Sequence, residues 1–266
     1  MLDEIQYSVI IGSLLGDGGI EKGNNKIRTT DRKTRNDCKG GYKFREEHTE
    51  RQKDYLEWKA SILPKCQIRQ IERSFGTVYQ LRTENNDIYR KLRQEWYPNG
   101  KKIVPKSLME NMNEIALMVW YLDDGDKMTK KDRMMYSEGF VQYNRARIST
   151  AGFNYKDNLF LKRILHKKFG IMPVIKKELK TTPKFKKKYY RMYFNSRTRD
   201  FDKLMEIVKR QFENLKVPKC MRYKIGERVE SRRGIAQRIM IANGLLPRKN
   251  GRFVSKRCAP INSNIY

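Results

Sequence analysis

Histidine and cysteine are scarce in this sequence, with two of the first and four of the second in 266 residues. With only His48 and His166, a histidine-rich metal site is not expected. The cysteines, Cys38, Cys66, Cys220 and Cys258, are far apart and show no Cys-x-x-Cys spacing, which argues for reduced thiols inside a cell over a zinc site or a disulfide framework. No run of about 18 apolar residues occurs, so a membrane-spanning helix is excluded. The opening MLDEIQYSVIIGSLLGDGG carries acids where a secretory leader carries bases, and secretion is not expected. Proline and glycine are also few, at 8 and 17. With 38% hydrophobic and 11% aromatic residues the chain is too apolar to read as disordered. Acids are the last shortage: 30 Asp and Glu stand against 59 Lys and Arg, a net charge of +29.

Such an excess of positive charge calls for a polyanion, and nucleic acid is the expected partner. A protein that binds a membrane surface concentrates its bases on one amphipathic helix, whereas here they are spread along the chain. Residues 162–191 alone hold twelve Lys or Arg against one acid, Glu178.

The chain repeats its own plan. YSVIIGSLLGDG (7–18) and EIALMVWYLDDG (114–125) are apolar runs with helical character, each ending in Asp-Gly, with Gly18 and Gly125 expected to stop the helices. Tyr7, Ile10, Ile11, Leu14 and Leu15 share one helix face, while the second run is apolar nearly all round and is expected to be buried on several sides. KIVPK (102–106) and LKVPK (215–219) close the two halves. Between these markers the order of elements matches. In the first half, strands at 26–30 and 42–46 precede a helix at 53–63, and strands at 67–74 and 77–83 precede a helix at 86–96. In the second, a strand at 145–150 precedes a helix at 156–169, and strands at 173–179 and 189–195 precede a helix at 198–212. The expected fold is mixed α+β with antiparallel sheets, in domains 1–112 and 113–225 and a basic extension, 226–266. Within that extension 231–245 reads as a helix with a thin apolar face, better suited to docking than to contacting DNA.

Strand alternation puts Arg145, Arg147 and Ser149 on one face and Ala146, Ile148 and Thr150 on the other. Lys26, Arg28, Arg69, Arg73, Arg82 and Arg191 lie on similar strands, and Lys186, Lys187 and Lys188 mark the tip of a hairpin. A sheet with one face on the core and one basic face can lie along a groove and touch phosphates and base edges.

An aspartate at a helix C-terminus opposes the helix dipole. Two of them at matching positions, Asp17 and Asp124, suggest that a cation offsets the cost if the helices pack in parallel. An oxygen-only site without histidine or thiolate fits Mg²⁺. Gly12, Ser13 and Gly16 on one helix against Val119, Trp120 and Asp123 on the other would permit that packing. On the helices alone, two core helices with solvated acidic ends account for the pattern equally well.

IIGSLLGDG (10–18) and LMVWYLDDG (117–125) resemble the paired signature helices of the LAGLIDADG homing endonucleases, specifically the single-chain, intron-encoded branch with two motifs. Residues 101–127, 148–171 and 217–225 extend the resemblance over about 1–225. It implies two pseudo-symmetric αββαββα halves that form a saddle on double-stranded DNA. It also implies Mg²⁺ held by Asp17 and Asp124 with the carbonyls of Gly16 and Asp123, and hydrolysis of both strands at a long asymmetric site. Asp123 is read as a structural or carbonyl contributor. Lys102 and Lys224 match the lysines that the family places near the scissile phosphates, with Lys219 as a rival to Lys224. Glu47 or His48, and Ser149 or Thr150, lie in the right neighbourhoods, His48 being read as a surface strand residue. The chain is expected to act as a monomer inside the cell, wherever the host intron's DNA resides. Two alternatives share the fold: a maturase that binds host intron RNA, and a DNA-binding regulator that does not cleave. Retention of both aspartates favours cleavage.

Overall fold

The computed structural model describes residues 2–22, 41–74, 76–127, 145–182, 185–226, 245–247 and 253–255. The chain forms two units, Met1–Glu227 and Arg228–Tyr266. In the first unit, α1 (Glu4–Leu15), β1 (Gly19–Lys22), β2 (Tyr42–Thr49), α2 (Lys53–Ile62), β3 (Cys66–Arg73), β4 (Gly76–Thr83) and α3 (Asp87–Trp96) make one half. A short helix, α4 (Leu108–Asn111), leads into the other. That half comprises α5 (Glu114–Asp124), β5 (Gly125–Lys127), β6 (Arg145–Ser149), α6 (Tyr155–Phe169), β7 (Val174–Thr182), β8 (Phe185–Asn195) and α7 (Asp200–Asn214). The order αββαββα therefore occurs twice. The two four-stranded antiparallel sheets have the same topology, β1-β2-β4-β3 and β5-β6-β8-β7.

Local chemistry starts each helix. Asp3 and Gln6 form a reciprocal capping box on α1, with Gln6 N–H donating to Asp3 Oδ1 at 2.7 Å. Asn113 caps α5 by accepting from Ala116 N–H at 3.0 Å, and Asn154 and Asp157 form a second box on α6. Gly170, at φ 63°, ends α6 in the left-handed conformation that costs glycine least. Val9, Ile10, Ile11, Leu14 and Leu15 of α1 are buried against one core that also takes in Ala116 to Leu122 of α5, which is enclosed on every side as its composition required.

Some expectations need correction, and others fall outside the described residues. α1 ends two residues earlier than Gly18 suggested, with Gly16 as its cap, and the Gly18 N–H turns back to the Ser13 carbonyl at 2.7 Å. Asp17 therefore lies beyond its helix, whereas Asp124 is the last residue of α5. The strands β1 and β5, which follow the two motifs directly, were not expected; at four and three residues they are too short for alternation to signal them, and only pairing reveals them. The strand expected at 26–30, with Lys26 and Arg28, lies outside the described residues. The second unit contains an antiparallel pair, Leu245–Pro247 with Phe253–Ser255. Leu245 is thus in a strand, and the rest of the helix expected at 231–245 lies outside the described residues.

Candidate active site

Close approach of α1 and α5 builds the site. Asn113 Nδ2 donates to Ser8 Oγ at 2.7 Å. A Cβ placed at Gly12 would lie 2.6 Å from Val119 Cβ, and one at Gly16 would lie 2.5 Å from Asp123 Cβ. Only glycine permits these contacts. Successive pairings of 8 with 113, 12 with 119 and 16 with 123 show that the helices run parallel, so both Asp-Gly ends emerge together.

A lysine reaches the carbonyls on either side of each aspartate. Lys102 Nζ donates to Gly18 O at 2.9 Å and lies 3.4 Å from Gly16 O. Lys224 Nζ donates to Gly125 O at 2.6 Å and to Asp123 O at 3.2 Å. The rival Lys219 is exposed at the start of a short 3-10 helix, Lys219–Met221. Burial pushes the Asp124 carboxyl up to about 8, and the neighbouring Asp17 and Asp123 charges add to the shift against the pull of the two lysines. Burial also brings Lys102 down to about 8 despite the attraction of Asp124 and Asp17, and it lowers Lys224. Carboxylates that repel one another in a low-dielectric place are what a divalent cation relieves. The donors fit an oxygen-ligated ion. Asp17 and Asp124 supply carboxylates, and the Gly16 and Asp123 carbonyls are each the longer of their lysine's two contacts.

Behind Asp17 lies a buried ionic cluster that sequence reasoning missed. Lys59 Nζ donates to Glu46 Oε1 at 2.5 Å, Ser13 Oγ at 2.7 Å, and Asp123 Oδ1 and Oδ2 at 2.9 and 3.1 Å. Tyr55 OH donates to Asp123 Oδ1 at 2.9 Å. Burial disfavours the ionised Glu46, but Lys59 and His48 outweigh it and hold this carboxyl below its usual range. Burial disfavours the charged Lys59 as well, and Asp123 and Glu46 reverse the shift. Asp123 is therefore a structural residue through its side chain, joining α5 to α2 and β2.

His48 is not on the surface. It is 4% exposed, its Nε2 lies 2.5 Å from Glu46 Oε1, and its Nδ1 lies 4.0 Å from Asp17 Oδ2. The period-two pattern of β2 held the clue, because Phe44, Glu46 and His48 share the core face. Asp17, His48 and Asp123 offer ligand atoms within 4.8 Å of one another. Both Asp123 oxygens are nevertheless taken by Lys59, which makes this trio a poor cation site. Thr150 is buried, with its hydroxyl 2.6 Å from Asn158 Oδ1.

Strand register gathers the other basic residues. Arg45 stands opposite Arg82, and Gln67 opposite the same arginine; Arg69 and Arg73 continue that face of β3 together with Glu47 of β2. In the second sheet Ser149 is opposite Arg191 and Lys176 is opposite Arg191, so Arg145, Arg147, Ser149 and Arg191 share a face. Acids are interleaved: Glu21 pairs with Arg45 and Arg82, Glu47 with Arg45 and Arg73, Asp126 with Arg147, and Glu178 with Arg191. Lys188 faces opposite to Arg191 by strand parity, while Lys186 and Lys187 are paired with Thr181 and Lys180 by their backbones, and their side chains lie outside the described residues.

The duplicated αββαββα unit thus brings its two Asp-Gly motifs together where α1 and α5 meet. The model of the LAGLIDADG DNA endonuclease family matches residues 7–201, and the chain belongs to that family. The structure of the homing endonuclease I-WcaI bound to its DNA recognition sequence shares the fold, with a TM-score of 0.60 and 19% identity over 86% of this chain and 89% of that one. Among curated proteins, the chain is 30% identical to Protein RecA of Mycolicibacterium chitae over 124 residues, 47% of this chain and 26% of that protein. It is 28% identical to cytochrome b mRNA maturase bI2 of Saccharomyces cerevisiae over 192 residues, 67% of this chain and 40% of that protein. The chain thus spans less than half the length of each of these two relatives.

Proposed function

We propose that this protein is a site-specific endonuclease that hydrolyses both strands of double-stranded DNA at a long asymmetric site with Mg²⁺. The observation that carries the reading is the paired arrangement of Asp17 with Lys102 and Asp124 with Lys224, in which each lysine straddles the carbonyls beside its aspartate. Asp17 and Asp124, with the Gly16 and Asp123 carbonyls, would hold Mg²⁺. When bound, the ion supplies Lewis acidity and lowers the pKa of a coordinated water. Each carboxylate orients the attacking water towards its scissile phosphate. Lys102 and Lys224 place positive charge beside the phosphate oxygens as negative charge builds there. Their lowered affinity for protons also lets them release one to the leaving oxygen. The basic sheet faces, with Arg69, Arg73, Arg82, Arg145, Arg147 and Arg191, neutralise phosphates and set the DNA in register. Two active centres in one chain make a monomer sufficient.

Incubation with a randomised DNA library and Mg²⁺, followed by sequencing of the cleaved ends, tests the reading. A reproducible long motif that disappears with EDTA is expected, and uncut DNA under all divalent ions would refute it. A second reading, assistance to intron splicing through RNA, is favoured by the match of 67% of the chain to a maturase. Retarded migration of intron RNA at concentrations that do not shift tRNA would support it.

A further inference from the structure

The two halves align residue by residue behind the catalytic aspartates. Arg45 stands opposite Gly19, and Arg147 opposite Asp126, each partner being the residue just after the motif glycine. This sets an offset of 102 residues, and α2 and α6 begin at Lys53 and Tyr155, at the same offset. On the core side, Glu46 then corresponds to Ile148, His48 to Thr150 and Lys59 to Leu161, all six being buried. The first half places an ionic cluster where the second has the hydrocarbon of Ile148 and Leu161 and the uncharged hydroxyl of Thr150. Asp123 adds to the imbalance: it belongs to the second motif, yet its carboxylate enters the first half's cluster, because the matching Gly16 has no side chain to oppose it.

This cluster holds one ring in one orientation. Glu46 Oε1, which also accepts from Lys59, accepts from His48 Nε2–H, and the ring then sets Nδ1 3.2 Å from Gln52 Oε1 and 4.0 Å from Asp17 Oδ2, two acceptors that only the imidazolium, with a proton on Nδ1 as well, can serve. Thr150 offers Asp124 nothing similar, since its hydroxyl is engaged by Asn158 and, at 2.9 Å, the Tyr190 carbonyl. The need differs too. Asp124 is fixed as the last residue of α5, whereas Asp17 follows the end of α1 and its side chain is 44% exposed.

We propose that His48 is a positioning residue for Asp17 alone, so that the two cleavage centres are unequal and only the scission served by Asp17 depends on it. The idea rests on the endonuclease reading. His48 limits the positions open to the Asp17 carboxylate, and a misplacement of about 1 Å costs up to about a hundredfold in rate. Asp124 keeps its orientation from the helix and needs no such support.

The test uses DNA carrying the selected site, with the two strands labelled differently, and measures the two nicking rates of wild type and His48→Gln. The ratio of the two rates is expected to change by about tenfold, with nicked DNA accumulating. Calorimetric titration of Ca²⁺ into the protein–DNA complex is expected to give weaker binding for the variant. Equal slowing of both strands, or unchanged Ca²⁺ affinity, would overturn the proposal, because a merely structural histidine would impair both centres together. If His48→Gln does not fold, Gln52→Leu removes the second neighbour of Nδ1 at a half-buried position and is expected to shift the ratio in the same direction by about twofold. An unmoved ratio with Gln52→Leu would then count against it. Failure of wild type to cut either strand would instead refute the endonuclease reading itself.

Discussion

Behind the paired motif helices, Glu46 and Lys59 in the first half occupy the places that Ile148 and Leu161 hold in the second, and all four side chains are withdrawn from solvent. Both halves form the same sheet and the same helices, so charge is not needed there to specify the fold. Nor is it well suited to stabilising it: Glu46 Oε2 is buried without a hydrogen-bond partner, and buried ion pairs seldom exceed well-packed hydrocarbon in stability. Charge at these positions belongs with the orientation of groups near Asp17, and hydrocarbon with ordinary packing.

The halves should be equal at their aspartates. Asp17→Asn and Asp124→Asn are each expected to lower double-strand cleavage by at least about a thousandfold, because each removes a ligand to an ion worth several kcal/mol of transition-state stabilisation. DNA affinity, read by mobility shift, should stay within about twofold. Full cleavage by either variant would break the symmetry that both centres rest on.

Behind the aspartates the halves should part. Lys59→Met leaves Glu46 and Asp123 buried without their cation and is expected to cost about 3–5 kcal/mol in denaturant unfolding. Leu161→Ala, at the matching position, should cost about 2–5 kcal/mol through its cavity alone. The sharper experiment copies the second half into the first with Glu46→Ile and Lys59→Leu, adding Asp123→Asn to remove the charge left over. That triple variant should recover to within about 2 kcal/mol of wild type while losing activity. If it proved as unstable as Lys59→Met, the cluster would be structural after all.

How much of this was legible in the sequence follows from the range of each interaction. The helix pair could be read because small Gly12 and Gly16 recur against Val119 and Asp123 at the spacing of the motifs, a pattern carried by side-chain size. The core face of β2 could have been read from alternation, but Glu46 and His48 are polar and so masked the periodicity. No local pattern predicts that Asp123 reaches Lys59, because the partners are 64 positions apart and meet only once the halves dock. Likewise β1 and β5 exist through pairing alone.

pH provides a milder probe. Asp124 carries a raised pKa near 8, so the folded protein retains a proton there that the unfolded chain has lost above its ordinary carboxylate pKa, and stability falls as pH rises from about 4 to about 8. Lys102 is lowered to about 8, so above that pH the folded protein has released a proton that the unfolded chain keeps up to its ordinary value, and stability recovers as pH rises further. Together these groups place a minimum near pH 8 in the melting temperature of the metal-free protein. Mg²⁺ should raise that temperature more at pH 8 than at pH 5.5, where binding must first displace the Asp124 proton. Scanning fluorimetry at the two pH values checks the sign.

The smallest effects are expected on the sheet faces. Arg73 donates to Glu47 at 2.9 Å, and Arg45 lies 3.7 Å from the same carboxylate, whereas Arg69 has Gln67 as a neighbour at 3.1 Å. Arg69→Ala should therefore remove one phosphate contact, lowering affinity a few-fold and reducing the slope of log K against log salt by about one. Glu47→Gln works in the opposite direction, releasing Arg73 to phosphate, with Arg45 still paired to Glu21, and steepening the slope. Fluorescence anisotropy between about 50 and 200 mM salt distinguishes the two. Equal slopes for both variants would mean that the acids on this face do not compete with DNA for its arginines, leaving the Glu47 pairs as structural ties between β2 and β3.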